Sequence, residues 1–328
     1  MSHSPLSEAG EEVALRLGQT ALRAARRHGT WLRDNADTLR YLINSQTAID
    51  QSFIVSGTRS FASRPPIYRP HSEKFPQYVP DAGELEVAGR RLVRDHELTD
   101  QLPRSSNDVL VMADDRERLH IVKPIAGENF ERDWFTERPG ELAVRELGGY
   151  RVINGMFPHL ELVPPSALTV IDRHGPAFVQ QFVDLKPDVP VEKYRKKQQQ
   201  AAAAGHFVIG SYDGHYKNAR PRITPRPSNE SGADMALFDN GFSFPTRSED
   251  LIDQTRKFRI ISSFTKEWSG QRMDDDILQS VESFGSARIG SALQDLLGDE
   301  AIDLTLARRE QLLRHEGIPS DMLHLKHQ

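Results

Sequence analysis

An aspartate and an asparagine stand five residues apart in Tyr212-Asp213-Gly214-His215-Tyr216-Lys217-Asn218, and an Asp-Asn-Gly triplet follows at Asp239–Gly241. This pairing constrains the chain more than any other feature. An Asp-to-Asn step of five is the spacing of a phosphoryl-transfer loop, where the Asp faces a nucleophilic hydroxyl and the Asn carries a metal ion. A second Asp followed by x-Gly, after the strand-like run Met235-Ala236-Leu237-Phe238, offers another hard oxygen ligand. The moving phosphate is crowded with negative charge. Two such ligands place the metal, and one carboxylate orients the acceptor. Taken singly, either half also fits a simple turn, since Asp and Asn favour turns.

An upstream run bears on the choice. Leu119-His120-Ile121-Val122 reads as a short strand ending in Lys123. A lysine that closes an apolar strand is where kinases grip the α- and β-phosphates of ATP, and an edge lysine reaching for water is the alternative. The following segment favours the first. Pro139 suits a first helical turn and Glu141 its positive end. In that helix Leu142, Glu146, Gly149 and Ile153 share a stripe beside Ala143, Leu147 and Tyr150. A carboxylate inside so apolar a face costs several kcal/mol, of the order of an unpaired buried charge, unless a cation meets it. Lys123 is the cation at hand, and a strand-lysine to helix-glutamate pair is a kinase signature.

Placed in order, these residues resemble a known family. Ser105-Ser106-Asn107, Lys123–Glu128, Ala143–Glu146, Leu162–Pro165, Val179–Asp184, Asp213–Asn218 and Phe238–Pro245 form a series similar to that of the bacterial phosphatidylinositol 3-/4-kinase-like proteins common in actinobacteria. The tail Leu306–Leu313, ending near Pro319, is similar to that family's closing helix. The resemblance covers residues 104–320 and implies an α+β fold. Its two-lobed, kinase-like catalytic domain has an antiparallel small lobe at 104–184 and a helical large lobe at 185–328, after a helical and extended N-terminal region at 1–103.

The resemblance also implies roles. Ser105, Ser106 and Asn107 cover the phosphates through backbone N–H groups and hydroxyls, since no G-x-G-x-x-G is present. Lys123 holds the phosphates and Glu146 orients it. The strand Phe178–Val183 is the hinge, so Gln181, Phe182 and Val183 offer backbone groups to adenine. Asp213 is the base or acceptor-orienting group. His215 either stabilises the transferring phosphate or braces the loop. Asn218 and Asp239 hold Mg²⁺, and the cofactors are ATP and Mg²⁺. Two departures stand out. The family loop often reads Asn-x-Asp-Arg, whereas this chain has Ser211-Tyr212-Asp213-Gly214. Between Asn218 and Asp239 lies a stretch with Pro221, Pro225 and Pro227 and no apolar period, which predicts a mobile surface loop whose Arg220, Arg222 and Arg226 either recruit an acidic substrate or are solvated charge, the latter being favoured.

Composition excludes several classes. With a net charge of −5 no global attraction to nucleic acid is expected, and no apolar run approaches the ~20 residues of a membrane span. Zero cysteines remove disulfides, thiolate metal sites and cysteine nucleophiles. The start Met-Ser-His-Ser-Pro lacks the basic and apolar regions of a signal peptide, so a cytoplasmic location is expected. Residues 6–50 read as an Arg-rich amphipathic helix, open either to peripheral contact with a membrane surface or partner or to packing on the kinase core. Residues 51–82 are a Pro- and aromatic-rich arm, and a helix is expected at about Glu84–Leu98.

A hairpin is expected from Val109–Met112 and Leu119–Val122 within a five-stranded small lobe. Helices are expected at Val191–Ala204, Ser248–Asp253, Asp275–Phe284, Ile289–Leu297 and Glu300–His315. Three functions fit: a Mg-ATP phosphotransferase with an unknown acceptor, a nucleotide-binding pseudokinase serving as an interaction module, and a kinase-fold nucleotidyltransferase.

Overall fold

A single buried carboxylate closes the hairpin on which the small lobe is built. Asp114 accepts the backbone N–H groups of Arg116 and Arg118, both at 2.9 Å, and the Arg118 side chain at 3.1 Å. Burial opposes its charge, but these hydrogen bonds outweigh burial and hold the carboxyl well below its ordinary range. The computed structural model describes residues 74–76, 78, 92–102, 108–127, 140–171, 174–187, 189–246 and 262–320. Expectations for 6–50, for most of the arm, for Ser105, Ser106 and Asn107, for Pro139 and for Ser248–Asp253 fall outside them.

The sheet contains β1 (Val93–Arg94), β2 (Leu110–Ala113), β3 (Leu119–Pro124), β4 (Ser166–Ile171) and β5 (Gly175–Gln181), ordered β1-β2-β3-β5-β4 and antiparallel throughout. Alternation sets its two faces. Val122, Ala177 and Val179 pack with Met112 and Ile171 on one side. Lys123 lies in register with Phe178, and cross-strand partners share a face, so Lys123 points to the other side. Of the helix expected at Glu84–Leu98, residues 84–91 lie outside the described ones, and the rest is not one continuous helix. Val93 and Arg94 pair as an edge strand with Ala113 and Met112, and Asp95 then caps a short helix, α1 (His96–Gln101), by accepting Leu98 N–H at 2.9 Å.

Helix α2 (Glu141–Met156) follows Gly140, whose φ of 86° only glycine adopts without strain. Thirteen of its sixteen residues are buried, so it is a central helix and not the one-sided helix its stripe suggested. It lies between the sheet and the large lobe.

That lobe contains α3 (Lys196–Ile209), α4 (Ser263–Trp268), α5 (Asp275–Leu293) and α6 (Asp299–Arg314). The alanine run Ala201–Ala204 is fully buried, and a Cβ on Gly205 would stand 3.0 Å from Ile153 Cγ1, so small residues bring α3 against α2. The two helices expected at Asp275–Phe284 and Ile289–Leu297 correspond to the two parts of α5, which break at Gly285, where φ 62° and ψ 156° are not helical. Together these elements form an α+β, two-lobed arrangement of antiparallel small lobe and helical large lobe. No helix among the described residues is long and apolar enough to cross a membrane.

The described part of the arm lies on α2, α5 and α6. Lys74 pairs with Asp303 at 2.9 Å, and Gln294 Nε2 donates to Pro76 O at 2.6 Å. The Phe75 ring fills a notch at Gly290, where a Cβ would come within 2.3 Å of it. Tyr78 stacks on the Arg151 guanidinium at 3.9 Å. Phe75→Ala is therefore expected to lower the unfolding free energy by about 1–3 kcal/mol, the range for emptying a partly buried aromatic site. Urea denaturation measures it, and unchanged stability would mean that the notch contributes nothing.

Candidate functional site

A two-stranded ribbon carries the polar groups. β6 (Ala219–Pro221) pairs with β7 (Met235–Leu237), with Ala219 opposite Leu237. One step further, Phe238 N–H donates to Asn218 O at 3.0 Å. Asn218 and Asp239 thus emerge side by side at one end of the ribbon. Asp239 has φ 63°, a left-handed conformation that Asp tolerates better than most residues. Just beyond it, α2 comes unusually close. A Cβ on Gly149 would stand 2.7 Å from Asn240 Cβ, so only glycine lets the helix meet this turn.

At that junction Glu146 serves two partners. One oxygen accepts the Lys123 ammonium, and the other faces Asn240 N–H at 3.3 Å. Lys123 Nζ also donates to Asp239 Oδ1 at 3.0 Å. Burial works against the lysine's charge, yet Asp239 and Glu146 raise it above its ordinary value and it stays protonated. Two carboxylates flank this one ammonium, and they separate. Lys123 holds Asp239 below the usual range, whereas burial pushes Glu146 up to about 7 against the pull of Lys123. Exposure follows the same split: the Glu146 side chain is 4% exposed and that of Asp239 38%.

The 213–218 loop is braced from within and below. Asp213 O accepts His215 N–H at 2.8 Å and Asn218 Nδ2 at 2.7 Å. With its nitrogen so engaged, Asn218 presents Oδ1. This oxygen and the accessible Asp239 carboxylate are hard donors of the type Mg²⁺ takes, and one or two such protein ligands suffice when phosphates complete the shell. The residues fit the ion on that condition, since no group of three or more His, Asp or Glu is gathered for a metal among the described residues. His215 Nε2 stands 3.7 Å from Asp213 Oδ1, and its buried Nδ1 has no hydrogen-bond partner among the described residues.

Beneath the loop, His206 Nδ1 lies 2.8 Å from Ser262 Oγ, and Ser263 N–H donates to Gly214 O at 2.9 Å. A Cβ on Gly214 would stand 2.7 Å from His206 Nδ1. The departure from Arg at this position thus follows from packing: His206 and Ser262 occupy the space a side chain needs. Pattern reading missed both, because nothing in a lone buried His or Ser signals a partner 56 residues away.

The structure therefore brings Lys123, Glu146 and Asp239 into direct contact and aligns Asn218 with Asp239, while Asp213 and His215 face each other on the adjoining loop. The hinge residues behave unequally. The N–H groups of Gln181 and Phe182 are taken by Pro165 O and Leu119 O, and Val183 N–H has no backbone partner among the described residues.

One expectation is overturned. The stretch between the ribbon strands is a surface loop, as expected, but its Arg222 and Arg226 are not solvated charge. Arg226 grips buried Asp234 through Nη2 and Nε at 2.8 and 3.0 Å and caps Leu160 O, and Arg222 donates to Met235 O and Glu161 O. Burial opposes the Asp234 charge, but Arg226 prevails and holds the carboxyl at about 2. Fixed side-chain partners order a segment whose backbone has little regular structure.

No family model matches the sequence, and no curated protein matches it. Among solved structures, the chain is similar to the Helicobacter pylori proinflammatory kinase CtkA, at 10% identity and a TM-score of 0.41, over 74% of this chain and 99% of that one. It is also similar to the Rio2 kinase-ADP/Mg2+-phosphoaspartate complex from Chaetomium thermophilum, at 15% identity and a TM-score of 0.31, over 69% and 72%. Neither likeness is close enough to transfer an activity.

His206 makes the molecule pH-sensitive. Burial lowers its ring from 6.5 to about 4, so the folded form keeps it neutral while the unfolded form takes up a proton. Its contribution is present above pH 6.5 and is lost as pH falls through about 4, about 3 kcal/mol in full. Urea denaturation at pH 7 and 4.5 should show a smaller acid loss for His206→Gln than for the wild type. Equal slopes would contradict a buried neutral ring.

Proposed function

We propose that the chain is an ATP- and Mg²⁺-dependent phosphotransferase of the phosphatidylinositol 3-/4-kinase-like superfamily, moving a γ-phosphoryl group to a hydroxyl acceptor. One observation carries the reading: Lys123 is held jointly by Glu146 and Asp239 at the end of the ribbon that also presents Asn218. A dead nucleotide binder has no chemical need for this full set, which weighs against a pseudokinase.

In this reading the Lys123 ammonium meets the α- and β-phosphates. Glu146, fixed by Asn240 N–H, keeps that ammonium pointed into the cleft. Asp239 and Asn218 are the residues that would hold Mg²⁺, which when bound supplies neutralising charge at the phosphate oxygens. Asp213 orients the acceptor hydroxyl and takes its proton, and His215, half exposed beside it, lies toward the phosphoryl oxygens. Val183 is the hinge residue whose N–H is open to adenine. Ser105, Ser106 and Asn107 cover the phosphates. The arm, residues 1–82, modulates or localises the enzyme and contributes no catalytic group, since the proposed set begins beyond it.

Labelled γ-phosphate transfer into a lysate and a lipid panel tests the activity, with intact-mass analysis separating a phosphate adduct from an AMP adduct. Asp239→Ala and Asn218→Ala are expected to remain folded and lose turnover by about 10²-fold or more. Normal transfer by both would refute the assignment. Lys123→Met and Glu146→Gln are each expected to reduce activity, and the double variant to lose about 1–3 kcal/mol less than the sum. Strict additivity would separate the two residues.

A further inference from the structure

Behind the hinge lies a cavity of about 430 Å³, within the range of small-molecule sites. It forms where the chain leaving β5 meets the far end of the ribbon. Leu185 bridges to Arg222, and Lys186 N–H donates to Pro221 O at 2.8 Å. Four residues of extended chain, roughly 13 Å, separate Arg222 from Asn218, so the cavity is distinct from the cleft.

Among the described residues its charge is unbalanced. Asp234 lines it but is already engaged by Arg226, by Gln198 Nε2 at 2.7 Å and by Arg195 at 3.3 Å. Arg222 Nε is 3.9 Å from that carboxylate and donates to Met235 O, and one terminal nitrogen donates to Glu161 O. Its other terminal nitrogen, and the ammonium of Lys186, have no partner among the described residues. Among the described residues, Lys186, Arg222 and Asp234 are the charged groups that line the cavity, and Asp234 is also held by Arg226 and Arg195 from outside it. Burial and then Arg226 lower Arg222 to about 10, which leaves it charged at neutral pH yet poorly solvated. A desolvated guanidinium with fixed anchors is prepared for an anion at little reorganisation cost. The remaining walls are Pro187, Val189, Pro221 and Pro225, with Gly232 and Ala233, and the three prolines are rigid and without N–H groups.

We propose that this cavity binds a small organic anion. Its oxyanion head meets Arg222 and Lys186, and its apolar body lies against the proline wall.

The test is ligand-observed NMR titration of the full chain with phenyl phosphate, benzoate and inorganic phosphate. At least one of the two organic anions should saturate, and inorganic phosphate should bind about tenfold more weakly, because a head group alone forfeits the apolar contact. Lys186→Glu alters an exposed residue and should keep the fold while weakening that anion about tenfold or more, the worth of one charge-assisted contact. Lys123→Met, in the cleft, should leave binding unchanged. Three results would overturn the proposal: no saturation by either organic anion, inorganic phosphate binding as tightly as the best of them, or loss of binding in Lys123→Met instead of Lys186→Glu. The titration reads out independently of whether the cleft transfers phosphate.

Discussion

A buried ammonium cannot stand alone, and the centre of this molecule is arranged around that fact. Lys123 comes from the sheet, Glu146 from α2 and Asp239 from the end of the ribbon. Each belongs to a different element, so the ion cluster ties the small lobe to the large one. Deleting one partner of such a pair leaves a buried charge uncompensated, at a cost of about 3–5 kcal/mol in comparable cases. The cluster also has an inherent asymmetry. One cation between two carboxylates leaves the deeper one, Glu146, raised by burial, while the more exposed Asp239 stays ionised and open to a cation.

Close approach makes the cluster geometrically feasible. Gly149 lets α2 touch the Asn240 turn, and the alanine run of α3 with Gly205 lets α3 touch α2. Small residues at these crossings bring the backbone of the Asp-Asn-Gly turn within reach of Glu146. The loop below is then fixed by His206, Ser262 and Gly214. The ribbon is fastened at both ends, by Lys123 at Asp239 and by Arg226 at Asp234. Its short strands need this, because six residues of two-stranded pairing are marginal by themselves.

Much of this was legible in the chain, and the reason is local. Alternation at 119–122 and the polar turn before it specify a hairpin whose closing lysine shares a face with its cross-strand partner. A carboxylate within an apolar helical stripe implies a cation nearby, which is why Glu146 pointed to Lys123. Other features misled for equally local reasons. The run at 84–98 has helical composition, yet Val93 and Arg94 found a sheet edge open beside Met112 and Ala113. Three prolines between Asn218 and Asp239 suggested a solvated loop, because propensity does not register Glu161, 61 residues from Arg222, or Asp234 under Arg226.

By itself, then, the sequence determined much of the strand and helix pattern and the spacing of the polar residues at 213–218 and 239–241, while the α+β class came from the resemblance. These depend on periodicity and spacing, which act over a few residues. Tertiary structure alone decided that Lys123 would have a second carboxylate in Asp239, that His206 would be held neutral beneath the loop, and that Arg222 and Lys186 would line one cavity. Those outcomes depend on which groups are desolvated together, and desolvation is a property of packed neighbours and not of neighbours in sequence.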